Sequence, residues 1–99
     1  MKIIHKFIEH IEEELEGAKE YAEKYVENKA KGNLARASRF KEMSEDELRH
    51  ATYVRDMAVQ DAEALTKVYS LPVETEEAWT HALKKFTECS AWVRQMLAL

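Results

Sequence analysis

The chain has 99 residues and a formal net charge of -4, with 45% hydrophobic and 34% charged residues. This composition predicts a single globular domain covering residues 1–99 and excludes a disordered tail. Basic residues are interleaved with acidic ones, which argues against binding to nucleic acid or a membrane surface, and no stretch approaches membrane-spanning length. A single cysteine and a start without a signal-peptide pattern lead us to expect a cytoplasmic protein.

Two glycines and one proline leave few places for turns, so the sequence predicts an all-α fold. Helix 1 is predicted from about residue 3 to residue 30, because apolar residues recur there at helical spacing. Lys31-Gly32-Asn33 then supplies a helix end followed by a helix cap. So short a connection predicts an antiparallel hairpin of helices 1 and 2 within residues 1–70.

Glu14 stands out as a carboxylate within an apolar stripe of helix 1. The other members of the stripe are Phe7, Ile11, Ala18, Tyr21 and Tyr25. Gly17 follows within one turn, where glycine costs about 1 kcal/mol relative to alanine, so we expect it to have a packing or binding role. His10 precedes Glu14 by one turn and could join a metal site, but we interpret it as a partly exposed structural histidine and do not assign it.

Glu47 and His50 interrupt the apolar stripe of helix 2, which is predicted to extend to about Tyr69. The stripe that they interrupt consists of Phe40, Met43, Val54, Met57 and Leu65, and we expect it to face the core. A buried carboxylate without a partner costs several kcal/mol, so the pair favours a bound cation. Two simpler interpretations stay open: the pair is hydrogen-bonded to itself and to water, or the glutamate reaches solvent.

The predicted hairpin brings Glu14 to the level of Glu47 and His50. With a rise of about 1.5 Å per residue, the three residues lie roughly 28, 22 and 26 Å from the hairpin tip. Glu-x-x-His is also the spacing of metal ligands in helical bundles. The sequence therefore predicts a metal site made of Glu14, Glu47 and His50. Because no phosphate loop, zinc-type cysteine spacing or nucleophile set is present, we expect any chemistry to come from the metal.

Helix 3 is predicted over about residues 76–97, after a break at Pro72 and with Thr75 near its start. Its apolar face has helical period and contains Trp79, Ala82, Leu83, Phe86, Cys89, Val93, Met96 and Leu97. The face carries aromatic anchors and no set of metal ligands. We therefore interpret residues 74–99 as a C-terminal assembly helix.

The segment Glu14-Leu15-Glu16-Gly17-Ala18-x-x-Tyr21, followed by Glu47-x-x-His50, resembles the half-site of the ferritin-like di-iron proteins, most closely the encapsulated ferritins. The resemblance covers roughly residues 9–58. It implies that Glu14, Glu47 and His50 are iron ligands, that Tyr21 supports them, and that Glu13 and Glu16 guide iron to the site. The family's cargo-targeting tail is not evident in residues 95–99, although the resemblance keeps a surrounding protein shell as an expectation.

The function expected from these features is a ferroxidase that oxidises Fe(II) to Fe(III) for iron storage or detoxification. A complete di-iron bundle site needs two such half-sites, so we expect a homodimer, or a larger even-numbered oligomer, that forms a ferritin-like four-helix bundle around a twofold axis. Two alternatives stay open. One is a non-catalytic helical oligomerisation module, and the other is a structural zinc or manganese site.

Overall fold

The computed structural model describes residues 1–99 as three α-helices without a β-strand. α1 spans Lys2–Ala30, α2 spans Leu34–Thr66 and α3 spans Val73–Leu97. The all-α prediction is thus confirmed. The helices lie side by side in a rod with extents of 54 × 18 × 18 Å. None of them is long and apolar enough to cross a lipid bilayer.

Residues 31–33 form the tight turn between α1 and α2. Gly32 has a φ of 76°, in the left-handed region that glycine adopts without strain. The Asn33 side chain accepts a hydrogen bond from the backbone N–H of Arg36 at 3.3 Å and caps α2. α2 then packs back along α1, as the sequence predicted for the hairpin.

α3 packs along α1 and parallel to it, and it contacts α2 at few positions. At one end the amino group of Met1 donates a hydrogen bond to the Thr75 hydroxyl at 3.2 Å, and at the other end Lys29 contacts the backbone oxygen of Leu99. α1 is therefore the central helix of the rod. The apolar face of α3 is buried within the chain, mainly through Ala82, Phe86, Val93 and Leu97. The assembly role of α3 stays a prediction.

The first turn of α3 differs from the prediction. The helix begins at Val73 rather than near Glu76, and Pro72 occupies the N-cap position. Proline suits a helix start because it needs no intrahelical donor there. Thr75 was expected near the cap, but it lies inside the first turn, where its hydroxyl is buried and turned toward the start of α1.

α2 also ends earlier than predicted, at Thr66 rather than near Tyr69. The backbone N–H groups of Val68 and Tyr69 both bond to the Leu65 carbonyl oxygen, which closes the last turn of the helix. Bonds of this kind satisfy carbonyl groups that a helix end would otherwise leave free. The connection to α3 consequently starts one turn earlier.

The buried residues of α1 recur at helical spacing, as predicted, but the buried residues of α2 are not those of the predicted stripe. The α2 residues buried in the chain are small apart from one leucine, and they are Ala37, Ser44, Leu48, Ala51, Ala58 and Ala62. From the predicted stripe, Met43 is 40% exposed and Met57 is 58% exposed. Small side chains let two helices approach closely, so the larger residues are displaced to the edge of the contact. The predicted core position was wrong for Met43 and Met57, whereas Phe40 and Val54 are half-buried and pack against the core.

We call the displaced stripe of α2 the site face. It consists of Phe40, Met43, Glu47, His50, Val54 and Met57. Glu47 is half-buried and His50 is exposed, so the two polar residues lie beside the core and not within it. Of the two simpler interpretations of the pair, this position agrees with the one in which the glutamate is partly open to solvent. A polar cluster at this edge remains accessible to ions.

Candidate metal centre

Three potential ligands meet where α1 and α2 cross the middle of the rod. Glu14 comes from α1, and Glu47 and His50 come from successive turns of α2. One ligand atom from each residue lies within 4.8 Å of the ligand atoms of the other two. Nδ1 of His50 is 3.7 Å from Oε2 of Glu14. The structure thus brings together all three residues that the sequence singled out.

Two features of the contact between α1 and α2 allow these three residues to meet. Gly17 lies against Glu47, and a Cβ atom at position 17 would stand only 2.9 Å from Oε2 of Glu47. The buried Ser44 hydroxyl donates a hydrogen bond to the carbonyl oxygen of Ala18 at 2.7 Å, which ties α2 to α1 one turn from the cluster. The role expected for Gly17 is therefore to leave space for a carboxylate.

The two carboxylates interact strongly with each other. The pKa of Glu47 is raised above its usual value, first because its protonated form is hydrogen-bonded to Glu14, then because burial and the Glu14 charge disfavour the anion. The His50 imidazole opposes this shift in part. A cation beside the two carboxylates would offset the unfavourable interaction between their charges. The electrostatics of the cluster therefore favour a bound positive charge.

The donor atoms suit a divalent cation of intermediate hardness. Carboxylate oxygens and an imidazole nitrogen bind Fe(II), Mn(II), Zn(II) and Co(II), and this ligand set does not select among them. The Glu14 side chain is 23% exposed and that of His50 is 56% exposed. One chain thus offers three ligands on an open surface, with further coordination positions left for water or another protein group.

His10 is a fourth candidate that the sequence interpretation left unassigned. Its Nε2 atom lies 3.7 Å from Oε1 of Glu14, the carboxylate oxygen that does not face His50. The i,i+4 spacing to Glu14 was a signal for this contact, because residues four apart share one side of a helix. That spacing alone did not reveal which oxygen of Glu14 the ring would face.

The other residues implied by the resemblance lie outside the cluster. Tyr21 stacks on Phe40 with ring centroids 6.1 Å apart, two turns from Glu14. Glu13 and Glu16 are exposed and line a groove between α1 and α3, together with Cys89. Cys89 is a free thiol whose pKa is raised by burial, so it is a poor nucleophile. The structure does not bring these residues into the group of ligands.

No protein-family model, curated protein or solved structure matches this chain.

Proposed function

We propose that this chain is an iron-binding, ferritin-like protein that acts as a ferroxidase. The observation that carries the proposal is the convergence of Glu14, Glu47 and His50 at one level of a helical hairpin, beside a glycine that leaves room for the Glu47 carboxylate. Fe(II) is the substrate bound by these residues. The biological role we propose is iron storage or detoxification in the cytoplasm, with or without a surrounding protein shell.

The ligands supply the chemical reason for oxidation. Carboxylates stabilise Fe(III) more than Fe(II), because the electrostatic attraction grows with the charge of the ion. Each Fe(II) gives one electron to dioxygen or peroxide, which takes up protons as it is reduced. The Glu14 charge and burial that raise the pKa of Glu47 also favour a cation between the two carboxylates.

We further propose that two chains share a di-iron site around a twofold axis. A bundle site of this type takes a glutamate from each of two helices and Glu-x-x-His from each of the other two, and one chain contains half of that set. Exposed Met43 and Met57 flank the ligands on the site face, as expected for a surface that a second hairpin covers. Two copies supply six ligands for two ions and form a four-helix bundle.

Two other functions have support from specific observations. A structural zinc or manganese site is compatible with the same oxygen and nitrogen ligands. A non-catalytic oligomerisation module is favoured by Met43 and Met57, which are exposed on the same face of α2 as Glu47. In that case the polar residues would fix the register of the helices rather than bind an ion.

The test is an anaerobic Fe(II) titration followed by exposure to air, with native mass spectrometry before and after. We expect the wild-type chain to bind iron, to shift toward dimers or larger even-numbered species, and to oxidise the bound Fe(II). Glu14→Ala, Glu47→Ala and His50→Ala should each reduce oxidation to the rate of free Fe(II). The apo variants should be no less stable than the apo wild type, because removing a ligand also removes a crowded charge.

Glu23→Ala and His81→Ala are matched controls, since both replace exposed residues outside the cluster. They should oxidise iron at the wild-type rate. Oxidation at that rate in Glu14→Ala, Glu47→Ala or His50→Ala would remove the residue from the site. Metal binding without oxidation would support the structural metal site instead of the ferroxidase. An oligomer that binds no metal would support the oligomerisation module. A metal-loaded monomer would contradict the shared site.

A further inference from the structure

The Glu14 carboxylate lies between two imidazoles that approach its two different oxygens. Nδ1 of His50 is 3.7 Å from Oε2, and Nε2 of His10 is 3.7 Å from Oε1. His10 does not belong to the compact group in which the ligand atoms of Glu14, Glu47 and His50 lie within 4.8 Å of one another. The ligand atoms near Glu14 are therefore arranged on two sides of one carboxylate.

The spacing between His10 and Glu14 suits an intervening ion better than a direct bond. A charge-assisted hydrogen bond between such groups is about 2.7–2.9 Å long. The exposed i,i+4 pair of Lys31 and Glu27, at 3.0 Å, comes close to this length. Two ligands at metal distances of about 2.0–2.1 Å in a tetrahedral site lie roughly 3.3 Å apart. The observed 3.7 Å needs a movement of only a few tenths of an ångström to reach that value.

We propose that His10 Nε2 and Glu14 Oε1 form an outer subsite for a second divalent cation of the Fe(II), Co(II) and Zn(II) class. Glu14 then bridges an inner ion, held with Glu47 and His50, and an outer ion, held with His10. Carboxylate-bridged ions about 3.5–4 Å apart are the usual arrangement of two-metal sites. This inference rests on the proposed function, because the inner ion shares Glu14.

The outer ion has two protein ligands and the inner ion has at least three, so the outer subsite fills at higher metal concentration. The His10 side chain is 56% exposed, so water fills the remaining coordination positions of the outer ion. The outer subsite is consequently the side from which ions reach the buried part of the cluster. Each chain should then bind two divalent cations, one tightly and one weakly.

The chain contains a matched internal control. His5 and Glu9 have the same i,i+4 spacing on α1 as His10 and Glu14. No ion pair joins His5 to Glu9, because the His5 ring is hydrogen-bonded through Nδ1 to the Met1 carbonyl oxygen at 2.8 Å. His5 therefore reports adventitious binding of metal to an exposed helical histidine. His81 on α3 is a second reporter far from the cluster.

The experiment is a Zn(II) titration of the full chain followed by long-range nitrogen–proton NMR of the four histidine rings, with the number of bound Co(II) ions counted by native mass spectrometry. We expect the His50 ring signals to shift first. The His10 signals should follow at roughly tenfold higher Zn(II), and those of His5 and His81 should not move. His10→Ala should lower the count by one Co(II) per chain, and Glu14→Ala should abolish the His10 shift.

Each other outcome overturns a defined part of this assignment. If His50 saturates while His10 stays unchanged, the outer subsite is wrong and the proposed metal site stands. If His10 and His5 shift together, or if His10 still shifts in Glu14→Ala, the His10 shift reflects adventitious binding and the bridging role is wrong. If neither His10 nor His50 responds to Zn(II), both the inference and the proposed metal site fail.

Discussion

Two adjacent faces of α2 differ in the size and the burial of their side chains. The buried face is built mostly from alanine and serine, whereas the site face beside it carries Phe40, Met43, Val54 and Met57. Met43 and Ser44 are neighbours in sequence, but the methionine is 40% exposed and the serine is completely buried. Burial within the hairpin thus follows how closely two helices approach, so small side chains occupy the closest contact, while Phe40 and Val54 pack at its edge and Met43 and Met57 stay exposed.

The largest effect expected from this contrast is on stability. Leu48 is 7% exposed on the core face, so Leu48→Ala should lower the free energy of unfolding of the apo protein by about 2–5 kcal/mol. Met43→Ala on the site face should change it by less than about 0.5 kcal/mol. Urea denaturation of both variants at low protein concentration checks the difference. Equal losses in the two variants would mean that both faces are buried in the folded apo protein.

The sequence predicted the number of helices and the level of the cluster because both depend on robust signals. Helical spacing, the turn residues Gly32 and Asn33, and a constant rise per residue together place Glu14 opposite Glu47 and His50. These signals do not depend on knowing which side chains are buried. The hairpin and the convergence of Glu14, Glu47 and His50 could therefore be deduced from the sequence.

The choice of core face on α2 could not be deduced in the same way. The two candidate faces of α2 are offset by a single residue along the sequence. Because methionine is more hydrophobic than alanine, hydrophobic patterning selects the face that carries the methionines. Ser44 is polar, yet it is completely buried because its hydroxyl is satisfied by the Ala18 carbonyl oxygen. His10 was left unassigned for a related reason, since spacing alone does not fix the rotamer that aims the ring at Oε1 of Glu14.

The next largest effect is a loss of metal affinity without a loss of stability of the hairpin. Gly17→Ala should lower affinity for Zn(II) or Fe(II) by about 10- to 100-fold, because the added Cβ would stand 2.9 Å from Oε2 of Glu47 and displace that ligand. The apo protein should not become less stable, since alanine is favoured over glycine in a helix by up to about 1 kcal/mol. Calorimetric titration and thermal unfolding measure the two effects.

Gly32→Ala is the matched glycine control for this variant. Gly32 has a positive φ of 76° and no heavy atom within 4 Å of an added Cβ, so the substitution strains the turn without touching the cluster. It should lower stability by about 1–2 kcal/mol and leave metal affinity unchanged. Wild-type affinity in Gly17→Ala would show that the close approach to Glu47 has no part in binding.

The smallest effect is a pH dependence that distinguishes the crowded carboxylate from an ordinary surface one. Folding raises the pKa of Glu47, so its proton stabilises the folded apo protein. That contribution is fully present below the ordinary glutamate pKa of about 4.3 and is lost as the pH rises through the raised value. Glu47→Gln should therefore make the apo protein more stable at neutral pH, by less than about 1 kcal/mol for this partly exposed group. The gain should fade in acid.

Urea unfolding at a series of pH values measures this gain, with Glu45→Gln, an exposed neighbour on α2, as the control that should show none. Saturating Zn(II) should reverse the order, since glutamine cannot supply the anionic ligand and the wild-type chain gains more from the ion. If Glu47→Gln is more stable by the same amount at every pH, crowding of charge is not the cause. If it is more stable with Zn(II) as well, Glu47 is not a ligand, and the polar residues of the site face serve only the contact between helices.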